Sequence, residues 1–312
     1  MIVYHSLLPP LALISLAGAQ ALDGVWPLGG LLLRGVMLML AVLSAVHHAE
    51  VVAHRTGEPL GTLVLALAVT VIEVALILSF MLMGSSGNAT LARDTLFSAI
   101  MIISNGVVGL CLLVGGWRHK EQVFRVQGVG PALAALLALS TLSLVLPTFT
   151  TSSPEGTYTA SQLVFVALTS LVLWCAFTFF QTIRHRDYFL PEDATDNTQT
   201  HAQPPSWLRA GLSLLALLVC LVAVVGLAKQ LSPTIETTLR LWGAPQTLVG
   251  IVIALLVLMP ETLAALRAAK ANRLQTSLNL ALGSALASIG LTIPAVAVAA
   301  VWLGFPLTLG LD

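Results

Sequence analysis

The sequence predicts an all-α polytopic membrane protein with about nine transmembrane helices. Hydrophobic residues form 57% of the 312-residue chain and charged residues only 9%, whereas about 25% of residues are charged in an average soluble domain. A spanning helix requires about 20 mostly apolar residues, and most of the chain falls into stretches of this length. The low charge excludes a disordered chain, and the equal numbers of basic and acidic residues, 14 of each, exclude a basic nucleic-acid-binding protein.

Apolar windows separated by short polar joints give the predicted spans. They cover residues 6–22, 28–50, 60–84, 95–116, 129–148, 158–183, 207–229, 244–267 and 274–303. The first window contains Ala17-Gly18-Ala19, which has the form of a signal-peptide cleavage site, but no Lys or Arg precedes it. We therefore favour an uncleaved extra helix within residues 1–27 over a leader that is removed.

Basic residues are distributed unequally between alternate joints. Ten lie in joints on one side of the predicted membrane: Arg55, Arg118, Lys120, Arg125, Arg184, Arg186, Arg209, Arg267, Lys270 and Arg273. Four lie on or near the other side: Arg34, Arg93, Lys229 and Arg240. Because Lys and Arg are retained on the cytoplasmic side of a membrane, this bias predicts a cytoplasmic N-terminus in a bacterial inner membrane.

The longest polar joint, residues 184–206, divides the chain into two parts. It contains Asp187, Glu192, Asp193 and Asp196, followed by Pro204-Pro205. This composition buries too little apolar surface to form a core, and it predicts an acidic cytoplasmic linker.

The two parts are predicted to be repeats, residues 28–183 and residues 207–312. Residues 65–78 align without a gap on residues 253–266, and the alignment matches Glu73 with Glu261. Because the corresponding windows cross the membrane in opposite directions, the pattern indicates the inverted repeats of a secondary transporter.

Glu73 and Glu261 are the two carboxylates deep within apolar windows. A charged side chain at the membrane centre costs about 2.5–3.5 kcal/mol or more, so such residues pair, take up protons, bind a cation or line a water-filled path. A pair of carboxylates suits a divalent cation such as Ca²⁺. Without the ion the two would repel, which makes protons the competing occupant. Exclusive occupancy by cation or proton predicts an antiporter, although a neutral, hydrogen-bonded glutamate with a packing role is the alternative.

Neutral oxygen ligands are predicted around these carboxylates. Thr70 lies one helical turn before Glu73 on the same face. Pro260 has no N–H, so the carbonyl of Leu256 loses its helical partner and becomes available as a ligand, although a simple proline kink explains the residue equally well. Further candidates, each of which has packing as the alternative role, are Ser104, Asn105, Asn279 and Ser284.

A second polar cluster precedes the third window. His47, Glu50 and His54 are spaced to share one helical face, which is compatible with a metal or pH-sensing site. Solvated side chains at the membrane surface are the favoured alternative. The chain contains no Walker loop, nucleophile elbow, HExxH helix or dinucleotide fingerprint.

Two motifs resemble the bacterial calcium/proton antiporters that also exchange sodium or potassium, within the calcium/cation antiporter superfamily. The first comprises residues 57–62 (GEPLGT) and 68–73 (AVTVIE), and the second comprises residues 259–262 (MPET) and 267–279 (RAAKANRLQTSLN). The resemblance extends over nearly the whole chain. It implies two inverted five-helix repeats behind one extra N-terminal helix, with Glu73 and Glu261 as the exchange carboxylates. It also implies two helices after the ninth, so the second repeat is expected to be incomplete at Asp312.

These observations together favour a non-enzymatic secondary antiporter. We expect export of Ca²⁺, or of Na⁺ or K⁺, in exchange for H⁺, with no resident cofactor, nucleotide or nucleic acid and with the lipid bilayer as the surrounding partner. Vacuolar-type relatives place Gly-Asn shortly before each acidic residue, whereas this chain has Thr70-Val71-Ile72 and Leu258-Met259-Pro260. A monovalent cation/proton antiporter is therefore an alternative, as is a passive channel or a non-transporting membrane fragment. The oligomeric state is left open.

Overall fold

The computed structural model describes residues 8–16, 18, 27–57, 60–83, 88–153, 156–190, 205–245 and 247–311. Within these residues, 8 helices are long and apolar enough to cross a membrane. The protein is therefore an all-α polytopic membrane protein, as predicted. Residues 8–16 are also helical, but the rest of the first predicted window lies largely outside the described residues. The one β-bridge found in the described part of the chain joins Thr157 to Thr308.

The helices are numbered in chain order, and all except the short α6 are candidate spans. They are α1 (Pro27–Thr56), α2 (Leu60–Met83), α3 (Leu91–His119), α4 (Val126–Phe149), α5 (Ala160–Arg184), α6 (Arg186–Phe189), α7 (Trp207–Leu241), α8 (Thr247–Lys270) and α9 (Leu274–Leu303). Most of the predicted acidic linker, residues 191–204, lies outside the described residues.

The chain packs as two compact units, and each unit takes residues from both halves of the sequence. The first unit comprises Met1–Asn88 and Ala202–Val257, and the second comprises Ala89–His201 and Leu258–Asp312. The second boundary falls inside α8. As a result, Glu73 belongs to the first unit, whereas Glu261 belongs to the second.

The first unit is built around three mutually packed helices, α1, α2 and α7. Ala41, Ala45 and Ala49 are spaced four residues apart on α1 and are all 0% exposed. Such small residues let helices approach closely, which supplies the van der Waals contact that holds helices together in lipid. At the end of α1, Gly57 has a φ of 69° and donates its N–H to the carbonyl of Ala53, so the residue that ends the helix is one that tolerates left-handed backbone.

The second unit is organised around α9, the most buried of the eight spans. α9 packs against α3, α4, α5 and α6. The helix begins after Asn272, which has a φ of 59°, and ends at Gly304, which has a φ of 71°. Because α9 contacts every other complete helix of its unit, we expect substitutions on its buried face to be the most damaging ones there.

After α9, the chain folds back against the second unit near the starts of α3 and α5. Leu309 is 1% exposed, and Gly310 donates its N–H to the carbonyl of Gly156. The guanidinium of buried Arg93 donates to the Gly310 carbonyl at 2.8 Å and pairs with the carboxylate of Asp94 at 2.9 Å. Nearby, the Tyr158 hydroxyl donates to the Leu142 carbonyl at 2.6 Å, and burial raises the pKa of this phenol to about 12.

Three helices of the second unit contain π-helical segments. They are Ile102–Val107 in α3, Thr141–Val145 in α4 and Phe180–Arg184 at the end of α5. A π-helical turn inserts one extra residue without ending the helix, and such turns occur frequently at functional sites. The segment in α3 contacts α9.

We expect Gly290→Ala in α9 to destabilise the protein. A Cβ at this position would meet the Cβ of Trp174 at 2.5 Å, and that atom cannot move without the backbone of α5. Overpacking of this kind costs about 1–3 kcal/mol. The measurement is the temperature at which half of the detergent-solubilised protein is lost from the monodisperse peak.

The matched control is Gly283→Ala in the same helix, where an added Cβ has nothing within 4 Å. This control should retain the wild-type transition temperature or exceed it slightly, since Ala is the better helix former. Equal transition temperatures for the two variants would contradict the close α5–α9 contact.

Candidate functional site

Glu73 lies near the middle of α2 and is 2% exposed. Thr70, one turn earlier, is 6% exposed, so the hydroxyl predicted as a ligand is buried on the same side of the helix as the carboxylate. α2 contains no Lys or Arg. A cation that neutralised Glu73 would therefore have to come from another element or from solution.

Glu261 is half-buried and follows Pro260, which lies inside the continuous helix α8. A proline within a helix cannot donate to the carbonyl four residues earlier, which here is that of Leu256. The carbonyl of Leu256 therefore lacks its helical hydrogen bond, about one turn before the Glu261 carboxylate, and the helix continues past it. The hydroxyl of Thr262 donates to the carbonyl of Leu258 at 2.7 Å.

Ser104 and Asn105 lie in the π-helical segment of α3, and Asn105 is the midpoint of that helix. The side-chain amide of Asn105 donates to the Met101 carbonyl at 3.2 Å and to the Ser104 hydroxyl oxygen at 3.3 Å, and Ser104 donates to the Ile100 carbonyl. Asn105 is exposed within its unit, and its Oδ1 receives no donor from the described residues. This carbonyl oxygen is thus available as a neutral acceptor at the centre of a span.

Asn279 occupies a different environment from the one expected of a ligand. Its side-chain N–H donates to the Phe189 carbonyl at 2.6 Å, and its Oδ1 accepts from the amide of Gln275 at 2.9 Å. The side-chain Oε1 of Gln275 in turn accepts a hydrogen bond from the backbone N–H of Arg125 at 2.7 Å. Asn279 therefore joins α9 to α6, and both sides of its amide are used.

The candidate ligands are distributed between the two units. Glu73, Thr70 and Leu256 belong to the first unit. The second unit contains the remaining candidates, Glu261, Ser104, Asn105, Asn279 and Ser284. Ser284 is half-buried on α9. Their joint role as ligands stays a prediction.

The histidine cluster of α1 has the helical placement that its spacing predicts. His48 is 7% exposed, and the rings of His47 and His48 contact each other edge to face at 5.6 Å. Among the described residues, no group of three or more His, Cys, Asp or Glu side chains is arranged to hold a metal ion. The geometry therefore gives no support to a metal site at His47, Glu50 and His54.

Several buried polar residues were not identified from the sequence. Gln275 is 2% exposed and links the start of α9 to the loop between α3 and α4, while Thr95, Ser277 and Thr292 are all 0% exposed. The available signal for Gln275 was its position one turn before Asn279 at the start of an apolar helix. Isolated hydroxyl residues carry no comparable signal, because they commonly bond to the preceding turn of their own helix, as Thr95 does to the Leu91 carbonyl at 2.8 Å.

Comparison with known proteins identifies several relatives. A family model described as sodium/calcium exchanger protein matches residues 26–183 and 212–312. The chain is 50% identical to the y4hA protein of Sinorhizobium fredii, over 90% of this chain and 76% of that protein. It is 37% identical to the sodium-potassium/proton antiporter ChaA of Escherichia coli, over 95% of this chain and 81% of that protein. With the Ca²⁺/H⁺ antiporter ChaA of Bacillus subtilis it shares 21% identity over 84% of this chain and 73% of that protein.

Solved structures share the fold. The H⁺/Ca²⁺ exchanger CAX superimposes with a TM-score of 0.67 at 15% sequence identity, covering 97% of this chain and 78% of that structure. Native YfkE superimposes with a TM-score of 0.65 at 16% identity, covering 96% of this chain and 86% of that structure. At these identities the likeness concerns the arrangement of helices alone.

We expect Asn279→Asp to release the segment around α6, because the variant presents a carboxylate oxygen to the Phe189 carbonyl in place of an N–H donor. Loss of this buried hydrogen bond costs about 1–3 kcal/mol. Amide hydrogen exchange over residues 186–190 should accelerate by about tenfold or more. The matched control is Asn105→Asp, since the Asn105 amide bonds only within α3. Unchanged exchange in Asn279→Asp would show that this hydrogen bond does not hold α6.

Proposed function

This chain belongs to the sodium/calcium exchanger protein family, and on that premise we propose that it is a secondary antiporter that exports Ca²⁺ in exchange for H⁺. The observation that carries the proposal is Glu73, a carboxylate that is 2% exposed near the middle of a spanning helix with no basic residue of its own. The family and its antiporter relatives support exchange of cations for protons. They also support a multi-pass protein of the bacterial inner membrane, with the N-terminus proposed to be cytoplasmic.

Glu73 and Glu261 are proposed as the groups that carry the exchange. A carboxylate in hydrocarbon is costly when ionised, so each is expected to hold either a cation or a proton. Two carboxylates neutralise one Ca²⁺, and two protons neutralise the same pair. Cation and proton compete for the same oxygens. If the site releases one without binding the other, ionised carboxylates are left without a counter-charge inside the membrane, which is unfavourable. This competition couples the two fluxes.

Neutral oxygens complete the proposed coordination. Ca²⁺ takes six to eight oxygen ligands at about 2.3–2.6 Å, and carboxylates alone supply up to four. The Thr70 hydroxyl is proposed as a ligand beside Glu73 in α2. The Leu256 carbonyl is proposed as a ligand beside Glu261 in α8. Ser104, Asn105 and Ser284 are proposed as further oxygen donors. Asn279 is the weakest member of the set, because both sides of its amide already make hydrogen bonds.

A monovalent cation/proton antiporter is the second candidate. The chain is 37% identical to a sodium-potassium/proton antiporter but 21% identical to the Ca²⁺/H⁺ antiporter of Bacillus subtilis. The residues before each glutamate, Ile72 and Pro260, also differ from the Gly-Asn pattern of the vacuolar type. Both observations favour Na⁺ or K⁺ as an additional or alternative cargo.

Transport in everted membrane vesicles distinguishes these functions. A respiration-generated proton gradient is followed by fluorescence quenching, and Ca²⁺, Na⁺ or K⁺ is added separately. An antiporter dissipates the gradient only when its cation is present, and the responding ion identifies the cargo. A passive channel would move the cation without any change in the proton gradient once the membrane potential is clamped.

We expect Glu73→Gln and Glu261→Gln each to reduce exchange to the background of vesicles that lack the protein. The amide keeps the shape of the side chain, but it can neither titrate nor supply negative charge. The matched control is Glu121→Gln, which alters an exposed glutamate outside the spans and should transport normally. Wild-type exchange in either test variant would remove that glutamate from the mechanism.

The apparent affinity for Ca²⁺ is expected to rise with pH until both carboxylates are ionised. Each proton displaced by the cation contributes about a tenfold change in dissociation constant per pH unit, so two protons give up to about a hundredfold. Calorimetric titration in buffers of different ionisation enthalpy counts the protons released. A shallower, tenfold dependence would suit a monovalent cargo.

The Glu73→Gln variant provides the control for that titration, because it should release fewer protons per bound cation than the wild type. An affinity that is constant from about pH 6 to about pH 9 would contradict a shared site, unless both carboxylates ionise below that range.

A further inference from the structure

Basic residues gather at one end of the second unit, where α3, α5 and α8 end and α4 and α9 begin. We call this surface the basic end; its cationic residues are Arg118, Lys120, Arg125, Arg184, Arg186, Arg267, Lys270 and Arg273. Only Glu121 and Asp187 bring negative charge to it among the described residues. Hydrogen bonds draw its segments together, with Gln122 donating to the Ala269 carbonyl at 3.0 Å and Arg125 donating to the Asp187 carbonyl at 2.7 Å.

Much of this positive charge is not neutralised within the unit. The guanidinium of Arg125 donates to the backbone carbonyl of Asp187 rather than to its carboxylate. Arg118, Lys120 and Lys270 are exposed and form no ion pair within the part of the chain that the structure describes. The basic end therefore presents a surface with a strong excess of positive charge, which attracts anions.

The loop between α3 and α4 exposes two neighbouring apolar side chains, which is unusual for a loop in water. Two of its polar groups face the protein: Gln122 donates to the Ala269 carbonyl, and the N–H of Arg125 donates to Gln275. Lys120 and Glu121, in the same loop, are exposed. Its apolar side chains face outward, since Val123 is 68% exposed and Phe124 is 42% exposed. Neither residue belongs to a spanning helix. The general excess of Lys and Arg on the cytoplasmic side of membrane proteins explains the basic residues, but it does not explain why Val123 and Phe124 are exposed.

Exposed aromatic residues border the same surface. Trp117, in the last turn of α3, is 87% exposed, and Tyr188 on α6 is 44% exposed. Aromatic side chains at the ends of spanning helices lie at the level of lipid headgroups. Apolar side chains that insert at the headgroup boundary, next to Lys and Arg that reach phosphate, form the pattern that binds anionic lipid.

We propose that the basic end binds anionic phospholipid. Arg118, Lys120 and Lys270 contact the headgroup phosphate, while Val123 and Phe124 insert beside the acyl chains. The partner is a lipid rather than a free anion because the apolar pair lies beside the cations and has no role in holding a soluble phosphate. This binding does not depend on the transported ion.

Native mass spectrometry of the purified protein tests the proposal. The protein is incubated with an equimolar mixture of phosphatidylglycerol and phosphatidylcholine, and the retained lipids are counted. The wild type should retain phosphatidylglycerol preferentially. Arg118→Gln/Lys120→Gln should lose that preference by about fivefold per removed cation, so by about 25-fold for the pair. Phe124→Ser should weaken retention of phosphatidylglycerol while leaving every charge in place.

The matched control is Arg209→Gln/Lys229→Gln, which removes the same charge from exposed positions of α7 in the first unit. Size-exclusion profiles and thermal stability verify that each variant is folded. Equal retention of the two lipids by the wild type would overturn the proposal, and so would an equal loss in the control variant. Displacement of phosphatidylglycerol by millimolar inorganic phosphate would identify a site for free anions and would also overturn it.

Discussion

Hydrocarbon offers no hydrogen bonds, and this constraint determines both the fold and the residues that stand out within it. Every backbone N–H and C=O inside the bilayer must bond within the protein, so the chain crosses the membrane as helices. Most hydroxyl side chains obey the same rule by bonding to their own helix, as Ser140 does to the Leu136 carbonyl at 2.6 Å. A carboxylate cannot be satisfied so simply. This cost is the reason that we propose Glu73 and Glu261 as the exchange carboxylates.

Polar residues that bond between elements have a different role from those that bond within one helix. Gln275 accepts from the loop before α4 at 2.7 Å and Asn279 donates to α6 at 2.6 Å, while a third hydrogen bond of 2.9 Å joins the two side chains within α9. Buried networks of this kind specify one arrangement, because each lost bond leaves a desolvated polar group behind. The start of α9 is thereby fixed to α6, which lies in the first part of the predicted acidic linker. Movement of α9 would have to break this network or carry α6 with it.

Hydropathy predicted the spans because the membrane imposes length and composition on each helix separately. The fourth window, predicted at residues 95–116, is longer in the structure because Leu91–His119 continues through polar residues such as Asp94 at its ends. The π-helical segments could not be predicted, because hydropathy does not distinguish a π-helical turn from an α-helical one. The same limit explains Asn279: its residue type suggested a ligand, whereas its bonds are determined by Phe189, 90 positions away in the sequence. Predicting such a partner requires the tertiary structure.

Irregular helices are the expected consequence of binding a hard cation inside a membrane. Two carboxylates provide at most four oxygens, fewer than the six to eight that Ca²⁺ takes, and a regular helix consumes its own carbonyls. The chain contains two features that, in the part that the structure describes, leave an oxygen atom without a hydrogen-bond donor inside a continuous helix. Pro260 has no N–H to donate to the Leu256 carbonyl, and Asn105, in the π-helical segment of α3, has an Oδ1 that receives no donor from the described residues. Each feature weakens a helix locally, and the proposed role of these oxygens in binding the transported ion gives its presence a physical reason.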